Sequence, residues 1–211
     1  MNPRPMFPLQ SALLPGETLP LNIFEPRYSR LVRDCLASPD PAFGVVLISR
    51  GREVGGGDIR QDVGVLARIT ECADLGAGRY QLLASLVERI RVRQWLPDGP
   101  YPRAVTEEWP DEPGPSVGLD RIGAVMDAIL ALYQRISAAR GITLPTSLLA
   151  VDAETADDPS RHVWALAAAV PMGPADRYGV LAAPTLADRV GVLLEAIESV
   201  TAIVDFGLSQ E

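Results

Sequence analysis

A chain of 211 residues, 47% of them hydrophobic and with a slightly positive mean hydropathy, can bury one large core or two small ones and is too apolar to be disordered as a whole. A formal charge of −8 argues against general affinity for nucleic acid or anionic membranes, because neutralising phosphate needs a basic surface. All 19 basic residues are arginine, so the chain offers no Schiff-base amine, no lysine general base and no P-loop lysine.

The start of the chain, broken by Pro5, Pro8 and Pro15, lacks the apolar core of a signal peptide. The longest uncharged run near a helix, His162 to Ala175, contains Pro171 and Gly173 and is too short to span a bilayer, so a cytoplasmic protein without membrane contact is expected. Residues 1–113 carry 13 Arg against 15 acidic residues and residues 114–211 carry 6 against 12, which places any basic face in the first half.

From Phe7 to Trp109 the chain runs in short segments rich in Val, Ile, Leu and Arg: FGVVLISR (43–50), DVGVLARITEC (62–72), RYQLLASL (79–86), VERIRVRQWL (87–96) and YPRAVTEEW (101–109). Gly51, Gly55-Gly56-Gly57, the stretch Asp74 to Gly78, and Pro97 to Pro100 separate them, the pattern of an antiparallel sheet or small barrel. One helix interrupts it. Pro26 suits the first helical position after Glu25, and Tyr28, Leu31, Val32, Cys35 and Leu36 repeat at helical spacing while Arg27, Arg30, Arg33 and Asp34 take the other face.

After PDEPGPSVG (110–118) the period becomes helical. Leu119, Ile122, Met126, Ile129, Tyr133 and Ile136 predict a helix ended by Gly141. A second opens at Asp158-Pro159 and turns Val163, Trp164, Ala167 and Val170 inward, and a short one follows Gly173-Pro174. The last opens at Thr185, with Asp188 completing a capping-box variant and Leu186, Val190, Leu193, Ile197, Val200 and Val204 on one stripe.

Several motifs invite chemistry. Gly114-Pro115-Ser116-Val117-Gly118, followed by Asp157, Asp158 and His162, has the form of a hydrolase nucleophile elbow, but its proline-rich approach is not the buried strand an elbow needs, and Ser116 reads as a helix cap. Gly55-Gly56-Gly57 precedes a strand rather than a helix, so it reads as a hairpin loop and not a phosphate cradle. The carboxylate pairs Glu107-Glu108 and Asp111-Glu112 read as a solvated acidic rim. Cys35 and Cys72, without CxxC or a neighbouring His, read as buried free thiols. Neither a cofactor nor a metal site is expected. Arg89, Arg91 and Arg93 alternate with Ile90 and Val92 and form a row that suits RNA phosphates, a partner's carboxylates or cross-strand acids.

The most specific stretch is MFPLQSALLPGETLPLNIFEPRYSRLVRDCL. It closely resembles the start of the Lon protease amino-terminal, substrate-binding domain, whose pattern is FPL, a PG turn, LPLxIFEPRY and a helix. VGVLARITECADLGAGRYQLLASLVERIRV and GPYPRAVTEEW resemble the strands that follow in that family, and AAAVPMGPADRYGVLAAPTLADRVGVLLEAI its later helices. Asn22 and Leu86 stand where the family usually carries His and Gly.

The resemblance implies an α+β chain: a PUA-like β pseudo-barrel with one inserted helix over residues 1–113, then a helical bundle over 114–211. It also implies a role in engaging unfolded or partner protein segments, with Phe24, Glu25, Arg27, Tyr28 and Arg30 forming an amphipathic edge at the strand–helix joint. Lon chemistry needs a P-loop ATPase and a serine–lysine dyad, and a chain without lysine builds neither. The related cereblon-type zinc module needs four cysteines, and this chain has two. A standalone, non-catalytic protein- or peptide-binding module, an adaptor for proteolysis, is the expectation. An RNA-binding protein using Arg89, Arg91 and Arg93 is the alternative, a hydrolase at Ser116 the third reading, and homo-oligomerisation is left open.

Overall fold

The computed structural model of the chain describes residues 3–50, 59–97, 99–141, 149–150, 155 and 157–208. The Gly55-Gly56-Gly57 loop therefore lies outside the described residues. The chain divides into two compact units, one up to Pro110 and one from Asp111.

In the first unit the alternating pattern forms β1 (Arg4–Leu9), β2 (Thr18–Ile23), β3 (Ala42–Arg50), β4 (Ile59–Gly76), β5 (Arg79–Trp95) and β6 (Arg103–Glu108), with α1 (Pro26–Leu36) after β2. The order across the sheet is β2-β5-β4-β3-β1-β6, and an added β5–β6 pairing closes it into a near-ring. Closure is possible because β5 divides its length: Tyr80 to Ser85 pair with β2, and Ile90 to Trp95 pair with β6. From Arg79 to Arg91 β5 also pairs antiparallel with β4, and β1 runs parallel to β3.

Met6, Val46, Leu66, Ile90, Val92 and Ala104 form a buried cluster of this ring. Each larger side chain contributes about 1.5–3 kcal/mol by leaving water. Gly44 lets these side chains pack closely, since a Cβ would lie 2.6 Å from Met6 Sδ and 2.7 Å from Ile90 Cδ1 and both would have to shift.

Beyond the ring, β2, the first half of β5 and the far half of β4 form a three-stranded ribbon. Its base carries a bulge of the type that needs glycine. Gly16, at φ +89°, donates to the Leu86 carbonyl at 2.7 Å while the Leu86 N–H donates to Glu17 at 2.9 Å. Opposite, β5 skips Val87 as the register passes from Leu66↔Glu88 to Ala67↔Leu86. At the tip, Ala77 and Gly78 both have positive φ, as a tight hairpin turn demands.

Helix α1 forms as expected, with Pro26 in the first turn and Tyr28, Leu31, Val32 and Cys35 buried. Leu36 is exposed, and Ser29 is the fifth buried residue in its stead, its hydroxyl shared between the carbonyls of Glu25 and Gly78.

The second unit comprises α2 (Leu119–Arg140), α3 (Pro159–Ala169), α4 (Pro174–Ala182) and α5 (Leu186–Leu208), with α5 packed against all three others. Gly141 caps α2 in the left-handed region, Asp158 caps α3 by accepting from Ser160 and Arg161, and Thr185 Oγ1 accepts from the Asp188 N–H at 3.1 Å. The inner face of α2 is Ile122, Val125, Ile129 and Leu132, whereas Leu119 is exposed and Met126 half-buried. Tyr133 reaches the Ala169 carbonyl at 2.7 Å. Among the described residues no helix is long and apolar enough to cross a membrane.

Candidate functional site

The strand–helix joint is built from the residues that the sequence singles out, but they divide into two roles. Tyr28 is 4% exposed and its ring stacks on Phe7 at 4.0 Å. Arg27 lies 4.4 Å over that ring and its Nε donates to Glu25 at 3.0 Å. The Glu25 backbone carbonyl opens α1 by accepting from Ser29, while its carboxylate makes no cap bond. These three residues fix the joint. Phe24, 69% exposed, is turned outward by it. Arg30 lies on the exposed face of α1 and pairs with Asp34 at 3.0 Å.

Asp34 anchors the other side of α1. Burial alone would push its carboxyl up, but hydrogen bonds from Tyr101 and Arg30, with the charges of Arg30 and Arg33, outweigh burial and hold it below its ordinary value. The Tyr101 hydroxyl donates to Asp34 at 2.8 Å, and burial together with that carboxylate pushes the phenol up to about 12.

The arginine row is mostly engaged. Arg89, 4% exposed, lies 4.3 Å from the Trp109 ring centroid, and half-buried Arg91 lies 3.7 Å from it. Arg93 pairs across the strands with Glu107. Ile90 and Val92 point into the core, as the alternation predicts.

On the ribbon, a surface groove of about 330 Å³ is lined by Pro20, Glu71, Cys72, Ala73, Gln81, Leu82 and Leu83. Leu75, like Phe24, is exposed. Register explains why they share one end of the ribbon: Ile23, Tyr80 and Asp74 lie in one row across it, and Phe24 and Leu75 each stand one residue beyond.

Other sequence readings need correction. Cys35 is buried, its thiol pushed up to about 12 by burial and by Asp34, but Cys72 is exposed because it lies on the part of β4 that β3 does not cover. Ser116 caps nothing: the α2 cap is Gly118, and Ser116 lies in an exposed irregular segment with no strand leading into it. Asp111 is no rim residue. It binds the wholly buried Arg189 and accepts from the Ser160 hydroxyl at 2.9 Å, while Arg189 also donates to Ser160 at 3.0 Å and lies 3.6 Å over Trp164. Sequence reasoning passed over this cluster, although Arg189 falls between Leu186 and Leu193 on the apolar stripe, where a charge is out of place. Among the described residues no group of three or more His, Cys, Asp or Glu side chains is placed to hold a metal ion.

The chain is 32% identical over 123 residues to Lon protease 2 of Sorangium cellulosum, covering 57% of this chain and 15% of that protein. It is 29% identical over 204 residues to Lon protease of Roseiflexus castenholzii, covering 96% of this chain and 25% of that one, so it spans a quarter or less of these curated relatives. Among solved structures it is similar to a Lon N-terminal domain protein from Xanthomonas campestris, with a TM-score of 0.65, 25% identity and coverage of 92% of this chain and 98% of that one. It also shares the fold of the N-terminal domain of Mycobacterium avium complex Lon protease, with a TM-score of 0.64, 16% identity and coverage of 93% and 98%. The family model of the ATP-dependent protease La (LON) substrate-binding domain matches residues 3–199, nearly the whole length, and the chain belongs to that family.

Proposed function

We propose that this chain is a non-catalytic protein- and peptide-binding module that engages unfolded polypeptide and serves as an adaptor for proteolysis. The observation that carries the reading is Phe24, a large aromatic side chain left 69% exposed by a joint whose other residues are engaged in holding it there. An exposed apolar side chain of this size is what a partner without its own core would seek. In this reading Phe24 is the contact, Arg30 its polar neighbour, and Glu25, Arg27 and Tyr28 the frame. The absence of lysine from the chain supports the lack of ATPase and serine–lysine peptidase chemistry.

The RNA-binding alternative draws less support. Arg89 and Arg91 lie on Trp109 and Arg93 on Glu107, which leaves the row poorly disposed toward phosphates.

The test is a titration of a labelled, reduced and unfolded polypeptide on wild type, Phe24→Ser and Arg30→Glu, with thermal melts of each. Phe24→Ser should weaken binding about tenfold, the equivalent of one lost apolar anchor, with an unchanged melt. Undiminished binding by folded Phe24→Ser removes the contact from this joint, and wild type that captures no unfolded chain ends the reading.

A further inference from the structure

The two outer edges of the ribbon differ in what their backbones offer. Leu86 exchanges hydrogen bonds with the Gly16–Glu17 bulge, so its backbone groups face β2. Alternation along an antiparallel strand then turns Ala84, Leu82 and Tyr80 toward β2, and Leu83 and Gln81 toward β4. Pro20 lies opposite Leu83, so its nitrogen faces outward, at the position where a joining strand would seek an N–H. The β2 edge is thereby blunted.

On β4 the partners of Leu83 and Gln81 are Glu71 and Ala73, so Cys72 and Asp74 between and beyond them direct their N–H and C=O groups away from β5. Strand β3 does not reach them. Its pairing ends at Ala42↔Arg68, and the next N–H, of Ile69, is taken by the Pro41 carbonyl at 2.8 Å. Every residue from Thr70 to Gly76 is exposed and none is proline. Among the described residues no strand pairs with this edge, and an edge of this kind is normally blunted or covered.

We propose that the edge of β4 from Cys72 to Asp74 accepts an extended polypeptide segment as an added strand, and that the segment alternates apolar with basic side chains. The inference rests on the peptide-binding reading above and gives that reading a mode. Backbone pairing is indifferent to most side chains, as a binder of unfolded polypeptide requires. Ala73 and Leu83 in the adjoining groove offer contacts to apolar side chains on one face. The edge is acidic on both faces, with Glu71 beside Ala73 in the groove and Asp74 on the opposite face, where its Oδ1 also accepts from the Gly76 N–H at 2.8 Å. Both carboxylates favour basic residues, with Arg79 as the cation at the hairpin end. The same carboxylates disfavour a second copy, because antiparallel self-pairing would set the acidic edges of two chains of charge −8 against each other.

The experiment uses a short fluorescein-labelled peptide of alternating valine and arginine, read by anisotropy at physiological salt. Wild type, Cys72→Ala, Cys72→Pro and the Glu71→Gln/Asp74→Asn double variant are titrated and melted. Cys72→Pro removes one outward N–H and no bond to β5, so it should bind at least about tenfold more weakly while Cys72→Ala matches wild type. The double variant, and a peptide with glutamate in place of arginine, should also bind more weakly. A measurement on wild type alone guards against misfolding of the proline variant: saturating peptide should slow alkylation of Cys72 by iodoacetamide, with Cys35 silent because it is buried.

Folded Cys72→Pro with wild-type affinity, or alkylation of Cys72 that ignores bound peptide, overturns the strand-addition mode while capture of unfolded protein keeps the broader reading. A wild-type dimer dissolved by Cys72→Pro and untouched by peptide would assign the edge to a second copy and overturn it too. Wild type that binds neither peptide nor unfolded protein sinks both.

Discussion

Each unit of the molecule holds arginine against tryptophan, and the two clusters are built for different ends. In the second unit Arg189 is 0% exposed, fixed by Asp111 and Ser160 and laid over Trp164, so the connector after Pro110 and helices α3 and α5 are tied at one charged point. In the first unit Arg89 and Arg91 rest on Trp109 at the side of the ring opposite Ile90 and Val92, and the indole covers the guanidinium planes. The lesson is that an arginine's neighbours, not its spacing, decide what it does in the fold. A guanidinium buried with a carboxylate cannot be removed without stranding its partner, and one stacked on an indole gives up packing and a modest electrostatic attraction.

The contrast is broken most severely at Arg189. Arg189→Ala strands the Asp111 carboxylate and should cost about 3–5 kcal/mol, the toll of uncoupling a buried ion pair. Chemical denaturation followed by Trp164 fluorescence measures it, and a loss under about 1 kcal/mol would mean that the cluster is no fastener. Arg89→Ala gives up the cation–π contact and the buried stem, about 1–2 kcal/mol, with Trp109 fluorescence as its reporter. A cost equal to that of Arg189→Ala would erase the distinction.

The smallest effect sharpens the comparison by pH. In the first unit Tyr101 has its phenol raised to about 12, so the stability it lends is whole below its ordinary value near 10 and is lost as pH rises through about 12. Asp34, held low, has the opposite sign: its contribution is present above the ordinary carboxylate range and fades as pH falls through its lowered value. Tyr101→Phe should flatten the alkaline limb of a melt-versus-pH curve between pH 10 and 12. A limb identical to wild type would place the alkaline transition in another group.

Local signals were readable because they act over one turn or one strand. Pro26 at the start of α1, the Tyr28–Leu31–Val32–Cys35 stripe, Gly141, Asp158 and the Thr185–Asp188 box each encode their geometry within a few residues. What escaped depends on partners distant in sequence. Nothing along β5 announces that it changes partners after Ser85, because the skipped Val87 looks like any other strand residue. The stacking of Tyr28 on Phe7 is set by a residue on β1, and the conversion of Asp111 from rim to anchor depends on Arg189. On α2 both Val125 and Met126 are apolar, so periodicity could not choose between two adjacent stripes, and the structure buries Val125.

Pro20 sets the valence of the ribbon. A ribbon with two receptive edges is a bifunctional unit, and bifunctional units linked edge to edge grow into chains without a natural stop. With the β2 side closed by a residue that has no N–H, each molecule has one arm to offer, and any strand it accepts terminates the series. The replacement Pro20→Thr, harmless to the pairing with β5, would turn this terminator into a link, and the product to look for is a fibre.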